Sequence, residues 1–299
     1  MSPASARFTS LLDNKVLSRL EKMRLYPQRR LTNRTRGEHQ AGKGGTSTEF
    51  ADYRDYVAGD DVKNVDWNIF ARLERPYVKL YRHEEDLHVV LLLDCSVSMN
   101  FEGKFERAKQ LAAALGTLGL MNLERVSVYA CTSAGGEPAF LAPCTGRVSR
   151  GRLFDFLERL ESRGDCPFEA AIDGMLSRHR GRGVVILLSD FLTFGDLQKP
   201  FNMLYSAGLE VSAVQILSPT ELNPELTGNL RFVDSESGQT LDVSNVGDLL
   251  SVYHAHRLAL EEEVAMICRQ RSGRFVSISS QEPLESVLFD LLRRKGWIR

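Results

Sequence analysis

The strongest constraint on the fold is the stretch Val89-Val90-Leu91-Leu92-Leu93-Asp94-Cys95-Ser96-Val97-Ser98-Met99. A short Val/Leu run bounded by polar residues predicts a central strand of a parallel sheet, buried on both faces. Ligands of open α/β sheets collect just beyond the carboxyl ends of such strands, where Asp94, Ser96 and Ser98 are expected to converge. One carboxylate with two neutral hydroxyls suits a hard divalent cation, which takes oxygen ligands and keeps some water. A second apolar run, Val184 to Leu188, leads into Ser189-Asp190 and brings another carboxylate to the same edge.

The rest of the chain supports that frame. Helical spacing covers residues 8 to 26, Lys104 to Met121, Arg152 to Leu160, Phe168 to Arg178, a long stretch after Asn245, and Pro283 to Arg294. Gly273 is read as the residue just past the long helix, and Pro283 as part of the first turn of the last one. Strands are predicted at Tyr77 to Tyr81, Arg125 to Cys131, Leu209 to Leu217 and Phe275 to Ile278. A hairpin is predicted at Leu230 to Val233 and Gln239 to Val243, around a polar turn. Strands alternating with helices imply a doubly wound, mostly parallel sheet flanked by helices. The expected organisation is an N-terminal helical and loop extension over residues 1–84 and an α/β domain over 85–299. From Phe50 to Arg72 aromatic and acidic residues interleave without a clear period.

Charge and cysteine usage exclude some function classes. Thirty-eight Lys and Arg against 39 Asp and Glu leave a formal charge of −1, so no global electrostatic case for nucleic acid exists. Arg29, Arg30, Arg34 and Arg36 form a small basic cluster, read as a solvated face. No stretch approaches the roughly 18–20 apolar residues of a membrane span, and no signal-peptide hydrophobic region opens the chain. Five cysteines are scattered without metal-ligand spacing; Cys95, Cys131 and Cys268 read as small core residues, and a reduced, cytoplasmic setting is expected.

Rival chemistries fail on specific residues. A phosphatase of the haloacid dehalogenase type needs a second Asp two residues after the first, where this chain has Ser96. No G-x-G-x-x-G follows the first strand, and Gly42-Lys43-Gly44-Gly45-Thr46 lacks the phosphate-loop order and reads as a flexible turn. A metal-dependent hydrolase at the sheet edge would need a general base near Asp94, and the sequence shows no poised His or Glu there.

The segment Asp94-x-Ser96-x-Ser98 resembles the first part of the metal-ion-dependent adhesion site of von Willebrand factor A domains, and Asp190 matches the second Asp of that site. The resemblance also implies a threonine from an intervening loop. Here the matching segment is Gly164-Asp165-Cys166-Pro167, with Cys166 at the threonine position; a thiol is a poor ligand for Mg²⁺ or Ca²⁺. Asp165 or a water is then left to fill that arm. Residues 37–99 resemble a more specific family, the bacterial DUF58 type with von Willebrand A-like cores. The matching residues are Gly44-Gly45, Glu49-Phe50, Arg54-Asp55-Tyr56-Val57-Ala58-Gly59-Asp60-Asp61, Val65-Asp66-Trp67, Ala71-Arg72 and Glu84. Leu217 to Glu221 and Val233 to Gly238 continue the match.

The resemblance implies a non-catalytic interaction protein that binds partners through a divalent cation, Mg²⁺ or else Mn²⁺ or Ca²⁺. It also implies work beside a MoxR-type AAA+ ATPase in maturation or remodelling of a client complex. A protein-binding domain without metal, using Cys166 and the edge loops, is the other alternative. Arg54, Tyr56, Gly59, Asp60, Asp61, Asp66, Trp67 and Arg72 are candidates for partner binding. The competing reading has Asp55, Asp60, Asp61 and Asp66 bonding to backbone and to Arg54 or Arg72, fixing a turn.

Overall fold

The computed structural model describes residues 9–28, 48–83, 87–132, 139–179, 181–192, 195–224, 230–233, 238–243 and 246–299. The basic cluster at Arg29 to Arg36, the glycine-rich run through Gly45, Glu84 and the turn at 234–237 lie outside them. In chain order the strands are β1 (Thr48–Asp55), β2 (Tyr77–His83), β3 (His88–Asp94), β4 (Arg125–Cys131), β5 (Phe140–Cys144) and β6 (Gly183–Ser189). They continue with β7 (Leu209–Leu217), β8 (Leu230–Val233), β9 (Thr240–Val243) and β10 (Phe275–Ser279). The helices are α1 (Asn14–Leu20), α2 (Trp67–Leu73), α3 (Lys104–Met121), α4 (Arg150–Arg159), α5 (Phe168–Arg178), α6 (Gln198–Ser206), α7 (Pro219–Leu222), α8 (Val246–Gln270) and α9 (Leu284–Ser286). The last runs on into a π-helical turn, Val287–Leu292.

Six strands form one sheet in the order β10-β7-β6-β3-β4-β5, all parallel except β5. The doubly wound, mostly parallel architecture predicted from sequence is therefore the observed one, the arrangement of von Willebrand A and Rossmann-like folds. Every residue of β3, β6 and β7 is buried. Each buried Val or Leu there contributes about 1.5–3 kcal/mol, so these strands anchor the molecule. One face packs under α5, α6 and α8 through Phe168, Ile172, Phe201, Leu204, Val264 and Ile267. The other lies under α3, which in turn carries α1 and α4. The chain runs from β3 outward to β4 and β5, then returns to β6 on β3's other side. The β3–β6 boundary is thus the switch point where strand order reverses, and its carboxyl end is where a crevice forms.

The described residues divide into two compact units: 9–28 with 87–299, and 48–83. Expectation and structure differ here, because the first segment of the expected extension belongs with the sheet. Arg24 and Tyr26 pair with Arg299 and Trp297 through backbone hydrogen bonds of 2.8–3.0 Å. The helix within that segment is shorter than its apolar spacing suggests, spanning Asn14–Leu20. In the second unit β1 and β2 form an antiparallel pair, with α2 in the connection between them. Strand β1 escapes a period-2 reading because a register shift between Phe50 and Asp52 puts successive side chains out of alternation. Strand β5 is hidden similarly, by Pro143 and a shift opposite Val126/Val128.

Two helix ends also differ from expectation. Pro283 is the residue preceding α9, with extended ψ of 128°, and not part of its first turn. Past α8 the left-handed residue is Ser272 (φ +57°), while Gly273 serves a different need. A Cβ there would lie 1.6 Å from the Val211 carbonyl oxygen, so only glycine allows the chain to pass over β7. Gly273→Ala is accordingly expected to lower Tm by at least about 5 °C, since the obstruction is backbone and cannot swing aside. Thermal unfolding followed by circular dichroism checks this; an unchanged Tm contradicts it.

Candidate functional site at the β3–β6 edge

Strand β3 ends in Asp94, which is only 3% exposed. The backbone turns at once, and Asp94 Oδ1 accepts the Ser96 N–H at 2.9 Å. Its Oδ2 accepts the Ser189 hydroxyl at 2.6 Å, from the last residue of β6. Ser189 Oγ accepts in turn from Phe191 N at 2.9 Å, so the ends of the two strands are knitted together around one carboxylate. The Ser96 and Ser98 hydroxyls lie 2.9 Å apart and bond to each other. Sequence places these three oxygen donors together, and the structure brings them to one polar cleft of about 120 Å³, which Asp165, Cys166 and Asp190 also line.

Asp190 arrives from β6 as expected, but its carboxylate is largely committed. Oδ1 accepts from Leu192 N at 3.0 Å, and Oδ2 takes the Lys104 ammonium at 2.7 Å. Lys104 opens α3 and is 1% exposed. A second carboxylate, Glu221, holds it at 2.6 Å. Burial works against the ammonium, but Asp190 and then Glu221 outweigh it and raise its pKa. Glu221 is fixed by a capping box: Ser218 N donates to Oε2 at 2.7 Å and Glu221 N donates to Ser218 Oγ at 3.0 Å.

Lys104 is therefore shared between Asp190 and Glu221, and Asp94 is left without a cation; among the described residues no Lys or Arg pairs with Asp94. Burial first, and the Asp190 charge second, push the Asp94 pKa up to about 6, against the hydrogen bonds from Ser189 and Ser96. The Asp190 side has one further constraint. Phe191 adopts the left-handed region at φ +57°, costly for a bulky residue, and is held there by complete burial against Phe168 and Phe201. That turn directs residues 190–192 around the cleft.

Cys166 sits at the rim, but its sulfur is bonded to Cys131 at the end of β4. This corrects two expectations: Cys131 is not a free core thiol, and Cys166 does not offer a thiol to the site. Cys95, Cys144 and Cys268 are free and buried. Among the described residues no group of three His, Cys, Asp or Glu side chains is placed to hold a metal ion. The donors present are instead two carboxylates and paired hydroxyls, a set that fits a hard cation. Asp94, Ser96 and Ser98 are the lining donors without a cationic partner, whereas Lys104 backs Asp190.

Lys104, Glu221 and Ser189 are the functional-site residues that motif reading misses. The S-x-x-E spacing of Ser218 and Glu221 directly after a strand was the available signal for one of them. Lys104 carried none beyond its position at a helix start.

Asp60, Asp61 and Asp66 hold local structure in the 54–72 segment. Arg54 pairs with Asp60 at 2.8 Å, and Asp60 also accepts from Val57 N at 2.9 Å. Those bonds, the backbone one first, lower the Asp60 pKa. Asp61 caps a short turn through Lys63 N, and Asp66 caps α2 through Asn68 N and Ile69 N. Lys79, where Arg72 was considered, pairs with Asp66 at 3.0 Å. Gly59 has φ +111°, the left-handed region that suits glycine. Trp67 is 60% exposed beside Phe70 and remains open to a partner.

Fold and cleft together define a mainly parallel α/β protein with an acidic, hydroxyl-rich crevice at its switch point. The chain belongs to the family described as "Protein of unknown function DUF58", whose profile matches residues 52–262. It is 26% identical over 293 residues to uncharacterized proteins of Mycobacterium bovis and Mycobacterium tuberculosis, covering 95% of this chain and 92% of theirs. Among solved structures, BatB from Bacteroides thetaiotaomicron is 15% identical, with a TM-score of 0.45 over 70% of this chain and 97% of that one. Proximal thread matrix protein 1 from the mussel byssus, with a zinc-occupied MIDAS motif, is 12% identical, with a TM-score of 0.39 over 71% and 48%. Among the described residues no helix is long and apolar enough to cross a membrane.

Two outcomes test the electrostatics. Lys104→Met leaves buried Asp190 and partly buried Glu221 without their shared cation and is expected to cost about 3–5 kcal/mol, read as a fall in Tm. For Asp94 the folded pKa of about 6 lies above the ordinary 3.8. Stability is then fully present below pH 3.8 and is lost as pH rises through 6. In chelator, Asp94→Asn should exceed the parent by up to about 3 kcal/mol at pH 8 and match it near pH 4, by chemical unfolding. Equal differences at both pH values contradict the assignment.

Proposed function

We propose that this protein is a non-catalytic interaction module whose cleft binds partners through a divalent cation. The carrying observation is Asp94: a buried carboxylate without a countercharge, set beside two hydroxyls in a polar crevice. Asp94, Ser96 and Ser98 would hold Mg²⁺, Mn²⁺ or Ca²⁺, with Asp190 reached through water. Bound there, such an ion supplies an open coordination position for a partner's carboxylate. Val97, Phe101 and Leu192, all at least 36% exposed, lie on the segments that carry the donors and offer apolar surface for the rest of that partner.

The partner in this reading is a MoxR-type AAA+ ATPase, with the chain acting as its adaptor toward a client complex in the cytoplasm. Family membership is compatible with that reading.

Calorimetric titration with Mn²⁺ tests the cation. The parent should bind, and Asp94→Ala should weaken binding by at least about tenfold without lowering Tm. Pull-down of the purified ATPase partner should be lost in that variant and in EDTA. Retention in both would discard the metal bridge and leave a dry protein interface at the same edge.

A further inference from the structure

Five cysteines divide into three that are buried and free, and one bonded pair that joins the cleft rim to the sheet. Cys131 ends β4 and is the register partner of Asp94 on β3. Val90, Leu92 and Cys131 share one core cluster, and Asp94 continues the alternation of Val90 and Leu92. Asp94 and Cys131 therefore stand on the same sheet face, one strand apart, at about 4.8 Å spacing. The disulfide bridges from there to Cys166, whose Cα lies 5.4 Å from that of Cys131 and which lines the cleft with Asp94, Ser96 and Ser98. A soft donor thus sits beside a hard-donor site, and its chemistry is masked by a covalent bond.

The rim does not depend on that bond for its position. Val97 N donates to Gly164 O at 2.9 Å, Arg163 N donates to Cys95 O at 2.6 Å, and the Thr132 hydroxyl donates to Arg163 O. On the far side α5 begins at Phe168, which is buried in the core. Cys166 is two residues from each anchor, so its sulfur stays at the cleft when the bond opens. Cys131 is 1% exposed, whereas Cys166 is half-buried, which makes Cys166 the sulfur a small reagent reaches.

We propose that the Cys131–Cys166 pair sets which metal ions the cleft accepts. As a disulfide it leaves an all-oxygen donor set for hard cations; reduced, it frees the Cys166 sulfur as a soft donor that recruits Zn²⁺. The inference rests on the reading of the cleft as a cation site. Thiolate with carboxylate is a zinc donor set, while Mg²⁺ and Mn²⁺ gain little from sulfur. Reduction proceeds by thiol–disulfide exchange with a small dithiol. Its thiolate attacks Cys166 Sγ, and Cys131 leaves and takes a proton. The reagent's second thiol then displaces Cys166 and closes the reagent into a cyclic disulfide. Two electrons and two protons pass to the chain. When Zn²⁺ binds, the Cys166 thiol proton goes to solvent.

The test uses the full chain, oxidised or reduced with dithiol and then freed of reagent without air, titrated calorimetrically with Zn²⁺ and with Mn²⁺. Reduction should tighten Zn²⁺ by at least about tenfold and change Mn²⁺ by less than about threefold. Cys166→Ser should abolish the zinc gain, and Cys131→Ser should show it without reductant. Asp94→Ala should weaken Zn²⁺ in the reduced chain, separating the cleft from a site made of the two cysteines alone. Unchanged Zn²⁺ affinity on reduction, or a gain that survives Cys166→Ser, overturns the inference. The cation reading still stands in that case if Mn²⁺ binds the oxidised chain through Asp94. Absence of Mn²⁺ binding overturns both.

Discussion

The ammonium of Lys104 holds the candidate site in its observed form. Three carboxylates meet at the switch point, and only two of them share the one buried cation. Without it, Asp190 and Glu221 would repel one another inside the protein, and the ends of β6 and β7 would be forced apart. With it, Asp190 and Glu221 share one positive charge, and Asp94 is the carboxylate left with none. The site thus combines two lining carboxylates, Asp190 tied to a buried ammonium and Asp94 with none. In the proposed reading, that division of roles suits the crevice to a cation while the surrounding structure stays intact.

The apolar strands explain why such a costly arrangement persists. Continuous Val/Leu runs give β3 and β6 no freedom to slip, because both faces are buried and any shift would expose apolar surface. Asp94 and Asp190 are therefore delivered to the same rim whatever their charges prefer. The left-handed Phe191 shows the same hierarchy, with core burial of its ring overriding local backbone preference.

Much of this was legible beforehand for a physical reason. Buried parallel strands announce themselves by composition, and their carboxyl ends mark the ligand edge, so Asp94, Ser96, Ser98 and Asp190 could be named from residues alone. Contacts between distant segments leave no such trace. Lys104 reads as an ordinary first-turn lysine until β7 brings Glu221 over it, 117 positions away. The Cys131–Cys166 bond spans 35 positions with no spacing rule to suggest it. Strands β1 and β5 were missed because irregular register destroys the alternation on which strand reading relies. In the 54–72 segment the competing reading, acids fixing a turn, matches the bonds of Asp60, Asp61 and Asp66, while exposed Trp67 keeps the partner role open.

The pairing of Arg24 and Tyr26 with Arg299 and Trp297 has a consequence for biogenesis. These are among the most sequence-distant contacts a chain of this length can make, and a whole second unit intervenes. During synthesis Arg24 and Tyr26 emerge long before residues 297 and 299, so this backbone pairing closes late, after α3 has become available to cover Leu17 and Leu20 of α1. A nascent chain stalled before residue 297 leaves the backbone groups of Arg24 and Tyr26 without these partners.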